Sequence, residues 1–278
     1  VALAVRTPGS EGVIVGTNVL HEFAQGALVL GQDWNLAFVL ATQLGLPAGA
    51  AIGVAFASLF ALVVGVVVVR LSGIAASIAT LAWLAIVNTV LANADSLTKG
   101  TSSLVGLPLV VGVKTAAFGA LLALSVAYLF KFSRHGLMLR ASREDEAAAL
   151  ASGIPVRKVR LQAFVLSAAL VALGGILQGH FLGVLTVSQF YFEFTFLTLA
   201  MLVMGGMRSI SGAVVGTVVV GLVAEMLRVG ASGFDLGGLA VPAAPGIREI
   251  GLALIMLAVL MARPRGIMGD REFRFPGR

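Results

Sequence analysis

Ser142 and Asp145, with Arg143 and Glu144 between them and Glu146 behind, place several hydrogen-bonding and charged groups just ahead of the small apolar run Ala147, Ala148, Ala149, Leu150 and Ala151. The chemistry open to such a cluster is non-covalent. Ser142 three residues before Asp145 matches a capping box, whose side chains satisfy the free amides of a new helix. Glu144, Asp145 and Glu146 crowd the first turn, where negative charge complements the helix dipole. The alanines and Leu150 continue the helix, Gly153 supplies a stop, and Pro155 lies just beyond. The pattern predicts a helix of roughly two to three turns, which is too short to be stable alone in water and needs a surface or a partner to hold it. The plainer reading is a solvated amphipathic linker between two spans.

Other chemistry is missing from the sequence. The chain has no cysteine, hence no disulfide framework, thiolate metal site or cysteine nucleophile. His21, His135 and His180 are far apart and form no zinc spacing, so no metal site is expected. No GxxxxGK[ST] loop is present, and the apolar segments hold no Ser/His or Asp/Asp set. The chain reads as a non-enzyme, and any ATP and Mg would be bound by another polypeptide.

The cluster lies in a polar island, SRHGLMLRASREDEAAALASGIPVRKVRLQAFV, within a chain that is 59% hydrophobic and 12% charged. Its mean hydropathy is +1.03. Residues 34–69 and 71–94 carry no charge, and each run exceeds the ~20 apolar residues that span a bilayer. Lipid offers the backbone no water, so Gly- and Ala-rich runs of this length are helices, and their alternation is too weak for barrel strands. The expectation is an all-α, polytopic membrane helix bundle in a single domain, residues 1–278. Apolar segments fall at 26–42, 47–69, 72–94 and 107–130 before the island, and at 161–185, 191–207, 210–227 and 246–262 after it. That gives about eight transmembrane helices. The opening VALAVRTPGSEGVIVGTN lacks the n-region and cleavage pattern of a signal peptide.

Lys and Arg set the orientation. The island, residues 131–160, holds Lys131, Arg134, Arg140, Arg143, Arg157, Lys158 and Arg160, and the tail, residues 263–278, holds Arg263, Arg265, Arg271, Arg274 and Arg278. Both are expected on the cytoplasmic side, which requires an even number of spans between them. Four fit. Arg70, Arg208 and the N-terminus then lie inside, and the loop around residues 95–101 lies outside. The net charge of +6 is accordingly a topology signal, with no nucleic acid as partner.

Polar residues at membrane depth are the remaining candidates, because unpaired polarity there is costly. Ser77, Thr80 and Asn88 fall on the third segment, Thr195 and Thr198 on the sixth. Hydroxyls of this kind either bond back to their own helix or face a substrate path. Glu193, between Phe192 and Phe194, either meets a substrate ammonium or snorkels to water. Glu225 and Arg228, three apart, read as a local ion pair. Gly174, Gly175, Gly179 and Gly183, the pair Gly205 and Gly206, and Gly212 with Gly216 permit close helix approach. Gly205, Gly206 and Gly73 also suit helices broken beside a substrate path.

Glu146, Ala147 and Ala148 followed by Gly153 in a cytoplasmic loop resemble the coupling loop of ATP-binding-cassette (ABC) importer permeases. The strings GLMLRASREDEAAALASGIPVRKVRLQAFVLSAALVALGGIL, LAMLVMGGMRSISGAVVG and RPRGIMG resemble the branched-chain amino-acid permease family, LivM-like subgroup. Arg70-Leu71-Ser72-Gly73 and Ile78-Ala79-Thr80-Leu81-Ala82 do so too, and Leu97-Thr98-Lys99-Gly100 is similar to its Leu-Thr-Gly-Gly region. Phe23-Ala24-Gln25-Gly26 is similar to the Phe-Ala-His-Gly of the LivH-like sister subgroup. Leu30-Gly31-Gln32-Asp33-Trp34-Asn35 departs from the family's Leu-Gly-Ala-Tyr, and members generally begin with a further apolar span. Residues 1–25 therefore read as a truncated N-terminal segment.

The resemblance implies a permease subunit of an ABC importer for branched-chain or other hydrophobic amino acids. Urea and short amides are alternatives within the family, and an ATP-independent secondary transporter or channel is one outside it. It implies cytoplasmic ABC ATPases as partners, coupled through Ser142, Arg143, Glu144, Asp145, Glu146, Ala147, Ala148 and Gly153. A LivH-like sister chain would complete a heterodimer, or a second copy a homodimer. A periplasmic or lipid-anchored binding protein would deliver substrate, and membrane lipid would surround the whole in the bacterial inner membrane.

Overall fold

The computed structural model describes residues 46–71, 74–93, 104–105, 109–187, 191–231, 235–236, 239–240, 247–263 and 266–269. Helices dominate: α1 (Leu46–Val68), α2 (Ile74–Asn93), α3 (Val113–Phe132), α4 (Arg134–Glu144), α5 (Glu146–Ala151), α6 (Val156–Leu182), α7 (Phe192–Gly205), α8 (Ile210–Ala231) and α9 (Ile247–Ala262). Strands β1 (Leu104–Val105) and β2 (Val184–Leu185) pair antiparallel, as do β3 (Asp235–Leu236) and β4 (Leu239–Ala240).

Among the described residues, α1, α2, α3, α6 and α8 are long and apolar enough to cross a membrane, and α7 and α9 contain shorter apolar helices. They coincide with seven of the expected segments, and the protein is a multi-pass helical membrane protein. The expected span at 26–42 lies outside the described residues. So do residues 1–25, Gly73, the 95–101 loop and residues 270–278 of the tail.

The chain divides into two compact units, Val1–Phe194 and Thr195–Arg278. In the first unit α6 is the hub, with α1, α3 and α4 packed on it. Ala57 and Ala61 of α1 meet Phe164, Ala168, Ala172 and Ile176 of α6 in its core. One turn further, a Cβ on Gly65 would come within 2.8 Å of Leu161 and Phe164. Small residues four apart let two backbones close on each other where lipid gives no hydrophobic drive for association. Outward faces are apolar instead: Val113, Phe118, Leu121 and Leu129 of α3 are exposed, as suits a helix whose solvent is hydrocarbon.

The pairing of β1 with β2 joins the chain just before α3 to the chain just after α6. The island between α3 and α6 therefore occupies the opposite end of that pair, in agreement with an antiparallel crossing.

The island differs from the expected loop. It contains two helices in succession, α4 and α5, and residues 156–160 belong to the first turns of α6. Ser133 ends α3 and starts α4: its hydroxyl donates to the Phe130 carbonyl at 2.7 Å and accepts from the Gly136 amide at 3.2 Å. Gly136 lies so close to the last turn of α3 that a Cβ would fall within 2.6 Å of the Lys131 carbonyl oxygen.

In the second unit, Ser209 caps α8 by accepting from the Gly212 amide at 2.8 Å. The residues after α9 fold back onto the end of α7, where the amides of Ile267 and Met268 donate to the carbonyls of Met204 and Gly205 at 2.8 and 3.1 Å. These bonds satisfy acceptors that a helix C-terminus leaves open.

Candidate functional site

Asp145 organises the site. It ends α4, donating its amide to Ala141 at 3.3 Å, and begins α5, where its carboxylate accepts from the Ala148 amide at 3.0 Å. Two helices thus share a single joint residue with extended dihedrals, φ −152° and ψ 112°. The expected cap was Ser142, and this is corrected. Ser142 sits in the last turns of α4, fully buried, and its hydroxyl donates back to the Leu139 carbonyl at 2.9 Å. Asp is as good an N-cap as Ser, and its position one residue before Glu146 leaves Ser142 free to continue the earlier helix.

Two further expectations change with the cap. Helix α5 has 6 residues, shorter than the expected two to three turns. Only Glu146 is acidic in its first turn; Glu144 closes α4 and pairs with the adjacent Arg143 at 2.7 Å. The stop holds: Gly153 has φ +78°, its amide donates to Leu150, and the Ile154 amide donates to Ala149, both at 3.0 Å. That pair of bonds is a Schellman motif, and its left-handed residue favours glycine.

Glu146 is drawn toward its own chain. Its carboxylate accepts two bonds from the Arg160 guanidinium, at 3.0 and 3.3 Å. Arg160 is 8% exposed at its side chain and Glu146 43%. The Gly153 to Pro155 turn reverses the chain and brings these residues, 14 apart, together. Arg160 counted in the sequence only as one more inside-positive charge, and no local spacing marks the pair.

What α5 offers outward is apolar. Ala147, Ala148, Leu150 and Ala151 are exposed, with Leu150 at 56%, while Ala149 is buried. Asp145, Ser152 and Gly153 rim this face. A capped, small-residue helix with one projecting leucine can seat in a complementary groove at little entropic cost, since alanine has no rotamers to lose.

The expected path residues are divided between the two units. Ser77, Thr80 and Asn88 lie along α2; Thr80 is buried and its hydroxyl donates to Ala76 and Ser77 carbonyls at 3.1 and 2.9 Å. Glu193 stands in the first turn of α7. In the second unit Thr195 is buried, and Thr198 donates back to the Thr195 carbonyl at 2.9 Å. Gly205 is the last residue of α7, and Gly206, with φ +120°, breaks the helix there. An apolar cleft of about 350 Å³ between α3 and α6 is lined by Gly119, Gly174, Leu177 and Gln178 among others, and by none of the expected path residues. Glu225 and Arg228 form the expected local pair, with bonds of 2.6 and 2.8 Å.

The sequence pattern described as "Branched-chain amino acid transport system / permease component" matches residues 13–261. The chain belongs to this permease family. The permease is 31% identical over 155 residues to the high-affinity branched-chain amino acid transport system permease proteins LivH of Salmonella typhimurium and Escherichia coli strain K12, a match covering 56% of this chain and 46% of each relative. It is 31% identical over 161 residues to the probable branched-chain amino acid transport permease protein LivH of Methanocaldococcus jannaschii, across 55% of this chain and 47% of that one. The matched region spans about half the length of these curated relatives. They are named as transport permease proteins, not as enzymes, and carry the LivH name, whereas a LivM-like subgroup was expected. No solved structure matches the permease at a significant level.

Proposed function

We propose that this permease is the membrane subunit of an ABC importer for branched-chain or other hydrophobic amino acids, with α5 as the helix that docks a separate cytoplasmic ATPase. The observation that carries the reading is the Asp145-capped helix, closed by a Schellman turn and presenting Ala147, Ala148, Leu150 and Ala151 to the outside. A fold that spends two caps on a helix of 6 residues fixes a shape for something to read.

On this reading the island and the C-terminal tail are cytoplasmic, in a bacterial inner membrane. ATP and Mg are held by the ATPase, a LivH-like sister chain or second copy completes the conduit, and a periplasmic or lipid-anchored binding protein presents substrate. The permease supplies two accessible states, and the nucleotide cycle shifts them by binding one better than the other.

Tagged protein extracted from native membranes in mild detergent tests the reading. Recovery of one or two P-loop ATPases and a second permease chain supports it. A folded chain recovered alone contradicts it, and directs attention to uptake driven by an ion gradient.

A further inference from the structure

Helix α5 has 6 residues and hangs between a one-residue joint at Asp145 and the turn at Gly153. A helix that short does not hold an orientation by itself. Besides the burial of Ala149 and its packing against α4, what ties it to α6 is the fork between Glu146 and Arg160. Arg160 stands in the second turn of α6, the hub on which α1, α3 and α4 pack. Its guanidinium is nearly enclosed, and its Nε has no hydrogen-bond partner among the described residues, so the two bonds to Glu146 are how that charge is met. A planar guanidinium gripping both carboxylate oxygens resists rotation as well as separation.

We propose that Arg160 is a positioning residue which ties α5 rigidly to α6, so that force applied to α5 reaches the membrane helices through the Glu146–Arg160 fork. The inference rests on the permease reading above and deepens it. It reassigns Glu146: its carboxylate serves the strut within this chain, and the ATPase reads the apolar face around Leu150.

The test uses the chain in its own host with Glu146→Arg, Arg160→Glu and the two combined, followed by uptake of radiolabelled leucine and by recovery of the P-loop ATPase on the tagged chain. Each single change lowers uptake by about tenfold or more while the ATPase is still recovered, and the exchanged pair restores uptake to within about threefold, as coupled neighbours do. Arg160→Lys keeps the charge and loses the fork, and gives intermediate uptake at wild-type membrane levels.

Loss of the ATPase with Glu146→Arg that the exchanged pair does not regain overturns the inference, because the carboxylate is then itself the docking contact. Wild-type uptake in either single variant overturns it too. If the single variants fail to insert, Arg160→Lys decides: unchanged uptake at normal membrane levels rejects the strut. A wild-type chain that recovers no ATPase removes the permease reading underneath, a failure distinct from any pattern among the variants.

Discussion

Gly205 and Gly212 meet backbone to backbone: a Cβ built on Gly212 would lie 2.8 Å from the Gly205 carbonyl oxygen, and one on Gly205 would strike the carbonyl of Gly212. Gly216, one turn on, would place its Cβ 2.7 Å from the Gly205 backbone. The end of α7 and the start of α8 are therefore joined as closely as two chains can be. Gly205→Ala or Gly216→Ala forces them apart and destabilises the second unit by about 1–3 kcal/mol, the cost of overpacking. Gly174→Ala has nothing within 4 Å of the new methyl and leaves thermal unfolding in detergent unchanged or slightly raised. Equal melting temperatures for all three variants would refute the contact.

The reassigned cap makes a second, opposed pair of outcomes. Asp145→Ala removes the acceptor for the Ala148 amide and costs α5 about 1 kcal/mol. Ser142→Ala removes only a bond back to Leu139 within α4. Limited proteolysis of the protein in liposomes is expected to cut residues 145–155 faster in Asp145→Ala and at the wild-type rate in Ser142→Ala. The reverse order would restore Ser142 as the cap.

Gly153 is at φ +78° with open space around its Cβ position. Any effect of substitution is thus backbone strain, not collision. Gly153→Ala costs about 1–2 kcal/mol, and Gly153→Asn costs less because asparagine tolerates the left-handed region. Uptake in cells should fall in the same order, with both variants at normal membrane levels. Identical uptake for the two would disconnect the turn from function.

The tail makes a structural prediction. The Ile267 amide bonds to the Met204 carbonyl, and Gly266, at φ +77°, lies against Gly206 with room for no methyl, since its Cβ would be 2.8 Å from the Gly206 backbone. Ile267→Pro removes the donor and Gly266→Ala adds strain. Both lower the melting temperature of the protein in detergent, and unchanged melting would place the tail elsewhere.

The membrane architecture was legible because it rests on composition: charge-free runs of spanning length leave the backbone one solution, and seven described helices fall on seven expected segments. The stop at Gly153 and the Glu225–Arg228 pair were legible for a local reason, as both depend on neighbours within a turn. Arg160 was not. Its partner is 14 residues away around a turn, and a cation beside a membrane span has a topological explanation ready. Ser142 was misjudged because Ser and Asp are both good N-cap residues, and only the path of α4, which runs on to Glu144, decides between them. The return of residues 266–269 onto α7 depends on backbone amides, which carry no side-chain signature at all.

The most direct test of the docking claim is a contact map of α5 itself. The chain has no cysteine, so Leu150→Cys, carrying a photo-cross-linker, is a single reporter at the centre of the exposed face. Val113→Cys at the far end of α3 serves as control. Capture of a P-loop ATPase from position 150 in native membranes, and none from position 113, is the predicted result. Capture of no ATPase from position 150, in a chain that is inserted and labelled, would contradict the assignment of α5 as the docking helix.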